Sequence, residues 1–210
     1  MMNKKVVSFD VQSLFTKVPV QECLQYLKNK IDGLHLDTPV PNDVFIKLIE
    51  LCVSESYFSF NEQLFSQIDG LPMGSPLSPV LANILMEYFE TELLPRILDC
   101  DITWIRYVDD IFAVLPSSFN IDNFLETLNN LHPSIKFKVE IENNNALPFL
   151  DTLVIRSEDG YPKFRVYRKD THSDSYIHAF SNHSKTTKLG VISNLFLRAY
   201  HICDTEFIEN

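Results

Sequence analysis

The chain has 210 residues, of which 45% are hydrophobic and 22% are charged, and its formal net charge is −10 at pH 7. The apolar content is sufficient for a packed core and excludes disordered and fibrous proteins. Because nucleic acids are polyanions, the net negative charge argues against nucleic-acid binding by the chain as a whole.

Hydrophobic periodicity predicts that strands and helices alternate along the chain. In the first predicted strand, Val7 and Phe9 share one face and Ser8 and Asp10 share the other. In chain order, the predicted elements are a strand at Val6–Asp10, a helix from Pro19 to about Ile31, a helix from Asn42 to Ser54 with Asn42 as its N-cap, a hairpin of Tyr57–Phe60 and Leu64–Ile68, a helix that begins after Pro76, a hairpin of Ile102–Val108 and Ile111–Leu115, a helix at Phe119–Leu131, strands at Ile135–Glu142, Leu147–Ile155 and Pro162–Arg168, and a helix from about Thr186 to Cys203. This order predicts an α+β domain with helices on one side of its sheet.

Three carboxylates lie where predicted strands end. Asp10 closes the first strand on its polar side, and Asp109 and Asp110 occupy the tip of an apolar hairpin. Adjacent like charges repel, so this pair is costly unless a cation neutralises it. Two Mg²⁺ ions, with Mn²⁺ as the alternative, prefer such oxygen ligands and would serve in-line nucleotidyl transfer. Taken singly, an Asp-Asp pair is more typical of an ordinary turn than of a metal site, and Asp10 could be a helix N-cap.

Three motifs, in this order, resemble those of reverse transcriptases. Phe9–Phe15 resembles polymerase motif A, in which an aromatic residue follows the metal-binding aspartate, Gly70–Pro79 resembles motif B, and Tyr107–Asp110 resembles motif C. Leu147–Asp151 lies where the primer-grip hairpin of these enzymes is expected. Longer stretches narrow the resemblance to the Penelope-like retroelements, a group of retrotransposons. These stretches are residues 8–20, 71–90, 147–156 and 166–199.

The resemblance implies a polymerase palm, in which an antiparallel, RRM- or ferredoxin-like sheet is backed by helices and followed by the start of a helical thumb. Residues 1–145 would form the palm with motifs A, B, C and D, residues 146–170 the primer-grip hairpin, and residues 171–210 the start of the thumb. Motif A begins so early in the chain that the fingers region is expected to be absent. The implied activity is RNA-directed DNA polymerisation, by two-metal nucleotidyl transfer onto a primer 3′-hydroxyl.

The resemblance also implies site residues, position by position. Asp10, Asp109 and Asp110 would be the catalytic, metal-binding carboxylates, with Asp110 the weaker ligand and the Val11 carbonyl a further one. Phe15 would be the steric gate whose ring excludes a ribonucleotide 2′-hydroxyl. The other expected contacts are Met73, Gly74 and Ser75 at the nucleotide, Lys136 or Lys138 as general acid for the leaving pyrophosphate, and Phe149, Leu150, Arg165, Arg168, Lys169, Lys185 and Lys188 at the primer grip and along the nucleic acid. Met73 departs from the glutamine of many relatives and supplies no amide for hydrogen bonding.

Charge is distributed unevenly along the chain. Residues 1–160 carry 11 Lys/Arg against 23 Asp/Glu, whereas residues 161–200 carry seven Lys/Arg against two acids. A segment that interleaves basic and aromatic residues can hold backbone phosphates, although a basic face is also common in proteins that bind no nucleic acid. The expected partners are an RNA template, a DNA primer and product duplex, and dNTPs. The oligomeric state stays open.

Cysteine usage and the lack of targeting signals bear on the compartment. The four cysteines, Cys23, Cys52, Cys100 and Cys203, form no CxxC pair, which argues against a disulfide framework and for a reducing environment. No stretch has the pattern of a signal peptide or a transmembrane segment. These features predict an intracellular protein, nuclear or cytoplasmic, that is not secreted and has no membrane partner.

Two other functions stay open at this point. One is a truncated, catalytically inactive remnant that binds nucleic acid, and the other is a metal-dependent nuclease that uses the same carboxylates. A nuclease would leave motif B and Phe15 without a purpose. His172, His178 and His183 also form a candidate zinc site, but no cysteine joins them.

Overall fold

The computed structural model describes residues 4–34, 40–98, 102–157, 160–173 and 175–208. Cys100 lies outside these ranges, and the other three cysteines are free thiols. Burial raises the pKa of the Cys23 thiol to about 12, so this thiol stays protonated at neutral pH and donates to the Leu81 carbonyl. No helix in the described part of the chain is both long and apolar enough to cross a membrane.

Strands and helices alternate, and the predicted α+β class is confirmed. In chain order the elements are β1 (Lys4–Val11), α1 (Leu14–Lys17), α2 (Val20–Gly33), α3 (Asn42–Ser54), β2 (Tyr57–Phe60), β3 (Gln63–Ser66), α4 (Leu77–Tyr88), a π-helical turn (Phe89–Leu93), a 3₁₀ turn (Leu94–Arg96), β4 (Thr103–Tyr107), β5 (Asp110–Pro116), α5 (Ile121–Asn130), β6 (Phe137–Ile141), β7 (Ala146–Phe149), β8 (Thr152–Arg156), β9 (Pro162–Val166), α6 (Lys185–Ile202) and α7 (Thr205–Ile208).

Four strands form the main sheet, in the order β4-β5-β1-β6. β4 and β5 are antiparallel because only the two-residue turn Val108-Asp109 joins them. β1 and β6 are antiparallel as well. The Glu142 amide donates to the Val6 carbonyl, whereas the Gln12 amide, further along β1, donates to the carbonyl of the earlier residue Lys136.

Two smaller sheets complete the strand pairing, and both are antiparallel. β2 pairs with β3 so that Phe58 lies opposite Phe65 and stacks on it, with ring centroids 5.5 Å apart. β7, β8 and β9 form a three-stranded sheet in that order, and Val154 in the middle strand lies between Leu147 and Phe164.

Two predictions are wrong in detail. The single strand predicted at Leu147–Ile155 is two strands, β7 and β8, because the chain reverses at Leu150 and Asp151 and Leu150 takes a left-handed φ of 52°. Asn42 is not the N-cap of α3. Pro41 precedes the helix, and the Asn42 side chain donates instead to the Asp32 carboxylate at 2.8 Å.

The chain divides into two compact units, a larger one of Phe9–Ile111 and Ser118–Val139, and a smaller one of Met1–Ser8, Phe112–Ser117 and Glu140–Asn210. The bounds of these units differ from the expected division into palm, primer-grip hairpin and thumb at residues 145 and 170. That division stays a prediction.

Aromatic rings dominate the core of the larger unit. Phe9 of β1 stacks on Trp104 of β4 at 5.4 Å and meets Phe124 of α5 edge-on at 5.9 Å, measured between ring centroids. Phe137 of β6 packs against Phe89 of the π-helical turn at 5.2 Å. Rings from three strands therefore meet two helical segments on one face of the sheet, as the sequence predicts.

The smaller unit is held by polar contacts around β8 and by the cap of α6. The Arg156 guanidinium donates to the Glu142 carboxylate at 2.5 Å and to the Lys4 carbonyl at 2.8 Å. The Ser184 hydroxyl accepts the Thr187 amide at 3.1 Å and begins α6. No residue of α6 is buried within the described part of the unit. Its large apolar side chains Leu189, Ile192, Phe196 and Tyr200 are exposed.

Candidate active site

Asp10 owes its position to the alternation of β1. Its neighbours Phe9 and Val11 point into the core and are 1% and 2% exposed, whereas Asp10 itself is exposed. Because side chains of a strand alternate between its two faces, the buried neighbours hold Asp10 on the opposite face. The carboxylate is thus open to solvent and available to bind a ligand.

The Val108-Asp109 turn lies beside the end of β1. The Val11 amide donates to the Asp109 carbonyl at 2.9 Å, and the Gln12 amide donates to the Lys136 carbonyl at 2.8 Å. The first bond joins the residue after Asp10 to Asp109 itself. Two carboxylates that are distant in sequence therefore belong to adjacent backbone segments.

A cavity of about 270 Å³ brings together part of the expected metal site and part of the expected nucleotide site. It is lined by Asp10, Val11, Ser13, Leu14, Phe15, Thr16, Met73 and Asp109. The half-buried ring of Phe15 and the exposed side chain of Met73 thus share one cavity with the two carboxylates.

The third expected carboxylate, Asp110, is the half-buried first residue of β5 and is not among the described residues that line this cavity. In the described ranges, no group of three or more His, Cys, Asp and Glu side chains could hold a metal ion, and this includes the three-histidine candidate. The donors that do share the cavity are the carboxylates of Asp10 and Asp109 and the backbone of Val11. These are hard oxygen donors, and in kind they fit Mg²⁺ or Mn²⁺.

The loop before α4 is held against α1 by contacts that the sequence reasoning missed. The Leu71 amide donates to the Phe15 carbonyl at 2.7 Å. Gly70 has a φ of +73°, and a Cβ added to it would lie 2.7 Å from the backbone of Thr16. The buried Ser78 hydroxyl donates to the Pro72 carbonyl at 2.6 Å. The sequence feature that could have predicted these contacts is Gly70 itself, because an isolated glycine before an apolar run indicates a turn or a close backbone approach.

We predict that Gly70→Ala destabilises the protein by about 2–5 kcal/mol. The left-handed backbone contributes roughly 1–2 kcal/mol, and the forced contact with Thr16 a further 1–3 kcal/mol or so. The matched control is Gly74→Ala, because Gly74 has a φ of +99° but open space around an added Cβ. Urea denaturation measures both variants, and equal losses of stability would show that the Thr16 contact contributes nothing.

The other expected residues of this loop are accessible. Gly74 is exposed, Met73 is 79% exposed, and the half-buried Ser75 accepts the Leu77 amide through its hydroxyl at 3.3 Å. A Cβ added to Gly74 would have no atom within 4 Å in the described structure, and the nucleotide contact expected there stays a prediction.

The two candidate general acids differ in their surroundings. The Lys136 ammonium donates to the carbonyls of Asn129 and His132, the latter at 3.1 Å, and so caps the C-terminal end of α5. Lys138, two residues further along β6, is exposed. Lys138 is therefore the more accessible of the two.

The smaller unit has a cavity of its own, of about 740 Å³, that gathers several of the residues expected to contact nucleic acid. Leu150, Arg165, Arg168 and Lys169 line it, together with other polar and aromatic side chains that include Tyr167, His172, Tyr176 and Arg198. Arg198 makes an ion pair with Asp151 at 2.8 Å within the same cavity. Basic and aromatic groups therefore line the same cavity.

The remaining expected contacts of this unit lie outside that cavity. The Lys188 ammonium donates to the carbonyls of Ala179 and Ser181 at 2.5 and 2.8 Å and so fastens the segment before α6. Lys185 is the exposed first residue of α6. Phe149 packs against Phe112, with ring centroids 5.5 Å apart.

Comparison with known families gives two matches along the sequence. Residues 2–143 match the family described as reverse transcriptase (RNA-dependent DNA polymerase). Residues 175–210 match the family described as animal helix-turn-helix domain. No curated protein matches the sequence.

Among the solved structures similar to this chain are two telomerases and a viral RNA polymerase. The telomerase of Candida albicans in complex with a TWJ fragment of telomeric RNA is 13% identical, with a TM-score of 0.63 over 92% of this chain and 35% of that chain. The corresponding complex of Candida tropicalis is 12% identical, with a TM-score of 0.60 over 93% and 34%. The Sicinivirus 3Dpol RNA-dependent RNA polymerase is 15% identical, with a TM-score of 0.52 over 79% and 37%. The chain therefore has a polymerase palm-like fold and spans about a third of these relatives.

Proposed function

Because this chain belongs to the reverse transcriptase family, we propose that it forms the palm of an RNA-directed DNA polymerase that extends a primer 3′-hydroxyl. The observation that carries the proposal is the cavity that Asp10, Asp109, Phe15 and Met73 line together. A nuclease would need the carboxylates, but it would have no use for an aromatic ring and a methionine beside them. A polymerase needs such apolar groups to pack against the incoming nucleotide.

Asp10 and Asp109 would hold two divalent ions, Mg²⁺ or Mn²⁺, with the Val11 carbonyl as a further ligand and Asp110 as the weaker one. The chemistry that such ions supply is activation of the attacking hydroxyl and stabilisation of charge on the leaving oxygen. The role of the protein would be to orient the carboxylates, and the hydrogen bond from the Val11 amide to the Asp109 carbonyl supports that role.

Selection of the nucleotide would fall to the other residues of the cavity. The Phe15 ring would occupy the space of a ribose 2′-hydroxyl, while Met73, Gly74 and Ser75 would contact the nucleotide from the loop before α4. Met73 would contribute adaptable packing without hydrogen bonding. Lys138, which is exposed, is better placed than Lys136 to protonate the pyrophosphate.

An RNA template and a DNA primer or product would contact the smaller unit. Its basic and aromatic cavity suits a phosphate backbone, because cationic side chains attract phosphates while rings pack on sugars or bases. Arg165, Arg168 and Lys169 would be the principal contacts. The sequence stretches described above further favour a retroelement enzyme of the Penelope-like type.

Primer extension by the chain tests this function. A labelled DNA primer annealed to RNA is expected to grow by successive nucleotides in the presence of dNTPs and Mg²⁺, and Asp10→Asn is expected to be inactive. Binding of the duplex in a gel-shift assay without extension would favour the nucleic-acid-binding alternative. Shortening of either strand would favour the nuclease.

A further inference from the structure

The turn between β4 and β5 places a strained residue directly before Asp109. Val108 has a φ of 56°, in the left-handed region that β-branched residues avoid. Holding a residue with a side chain in that region costs roughly 1–2 kcal/mol. Such strain persists only where surrounding contacts fix the backbone. The contacts that fix this turn therefore decide where Asp109 lies.

The side chain of Arg106 supplies one of these contacts. Its Nη1 donates to the Val108 carbonyl at 3.2 Å, and the Val11 amide donates to the Asp109 carbonyl at 2.9 Å. The two successive carbonyls of the turn are thus held by different elements, one by a side chain of β4 and the other by the backbone of β1.

Arg106 is itself held in one orientation. Its Nε and Nη2 donate to the two carboxylate oxygens of Glu90 at 2.7 and 3.0 Å, and its Nη1 also donates to Asn83 Oδ1 at 3.0 Å. Trp104 Nε1 donates to the same Glu90 carboxylate at 3.1 Å. The side chains of Arg106 and Glu90 are only 11% and 22% exposed. A bidentate pair with so little exposure restricts the guanidinium far more than a solvated one.

Both anchors of Arg106 belong to the helical segment that follows the Gly70–Pro76 loop. Asn83 lies on α4, and Glu90 lies on the π-helical turn that continues it. π-helical turns within α-helices are frequent at functional sites. One hydrogen-bond network therefore joins this helical segment to the turn that carries Asp109.

We infer that Arg106 is a positioning residue that, held by Glu90 and Asn83, fixes the Val108-Asp109 turn and thereby the Asp109 carboxylate. The inference rests on the proposed function, since it concerns the geometry of the same site. A lysine at this position keeps a positive charge for Glu90, but it lacks the planar fork that reaches Glu90, Asn83 and Val108 together.

The test compares Arg106→Lys with the wild-type chain in two assays. The first is steady-state primer extension. The second is Mn²⁺ binding in the absence of nucleotide, which electron paramagnetic resonance measures. Residues that orient metal ligands typically contribute 10–100-fold to metal affinity or activity. We therefore expect Mn²⁺ affinity and kcat to fall by about 10–100-fold, while KM for dNTP changes little because the nucleotide contacts are untouched.

Two further variants separate positioning from general support of the fold. Asn83→Ala removes one anchor but leaves the bidentate pair with Glu90, so it should lower Mn²⁺ affinity and kcat by less than Arg106→Lys does. Val108→Gly combined with Arg106→Lys should recover most of the lost Mn²⁺ affinity, because glycine adopts the left-handed backbone without strain. If Arg106 only stabilised the packing of β4 against α4, Val108→Gly would not restore Mn²⁺ affinity. If Arg106→Lys fails to fold in thermal melts, Glu90→Gln, which removes the charged partner of the guanidinium, takes its place.

The outcomes for the inference and for the proposed function can be told apart. Wild-type values of both kcat and Mn²⁺ affinity in a folded Arg106→Lys would overturn the inference and leave the proposed function intact. A wild-type chain that binds Mn²⁺ but extends no primer contradicts the proposed function, and Mn²⁺ affinity alone then decides the role of Arg106. A wild-type chain that binds no Mn²⁺ overturns both.

Discussion

Asp109→Asn is expected to abolish primer extension while leaving folding and template binding close to those of the wild type. The substitution keeps the size of the side chain but removes the negative charge that the site offers to a divalent ion. Stabilisation by such ions is worth several kcal/mol, and roughly 1.4 kcal/mol corresponds to a tenfold change in rate. We therefore expect kcat to fall by about 10³-fold or more.

The matched control is Asp122→Asn, which removes an exposed carboxylate in the first turn of α5, away from the cavity. It is expected to cost less than about 1 kcal/mol of helix stability and to leave extension unchanged. Single-turnover extension and a gel shift on the same duplex measure chemistry and binding separately. Near-normal extension by a folded Asp109→Asn protein would remove Asp109 from the catalytic site.

The elements that the sequence predicts best are those whose signal is local. The bounds of α3 match the prediction, and the ends of β1 lie within two residues of it, because apolar spacing and flanking prolines act within a few residues. The hairpin tip at Asp109 also follows from local pattern. The reversal at Leu150 does not, since an apolar run through Leu153 looks like one strand until its pairing with neighbouring strands is known.

The same distinction holds for the candidate site: local sequence predicts some of its residues, whereas others depend on tertiary contacts. Motif resemblance singles out Asp10, Phe15, Met73 and Asp109, and the structure places these four around one cavity. Motif resemblance does not predict that Gly70 lies against the backbone of Thr16, because that contact depends on how the loop before α4 packs on α1. Nor does it distinguish Lys136 from Lys138.

Arg106 shows why side-chain hydrogen-bond networks cannot be predicted from sequence patterns. It precedes the motif by one residue and alternates with apolar positions, so in sequence it is an ordinary polar residue of a strand. Its hydrogen-bond partners, Glu90 and Asn83, lie 16 and 23 residues earlier in the chain, and only tertiary packing brings them within hydrogen-bond distance. Pattern analysis predicts which elements form, but not which polar atoms meet.

Replacing Phe15 by valine is expected to lower discrimination against ribonucleotides by about 10–100-fold in the ratio of kcat/KM values for dNTP and rNTP. The ring lines the cavity beside both carboxylates, whereas valine is too short to fill the same space. A 2′-hydroxyl that collides with phenylalanine would then be accommodated. The ratio is measured by primer extension with each nucleotide in turn.

Phe9→Val is the control that separates a steric gate from a core residue, because Phe9 lies on the preceding strand and is almost fully buried against Trp104 and Phe124. Its truncation should cost about 2–4 kcal/mol and leave sugar discrimination unchanged. Phe15 is only half-buried, so Phe15→Val should cost less stability than Phe9→Val and still lose selectivity. Thermal melts recorded beside the dNTP/rNTP ratios give both quantities for each variant. An unchanged ratio in a well-folded Phe15→Val protein would show that the ring packs in the cavity without contacting the sugar, because a side chain that excludes the 2′-hydroxyl cannot be shortened without admitting it.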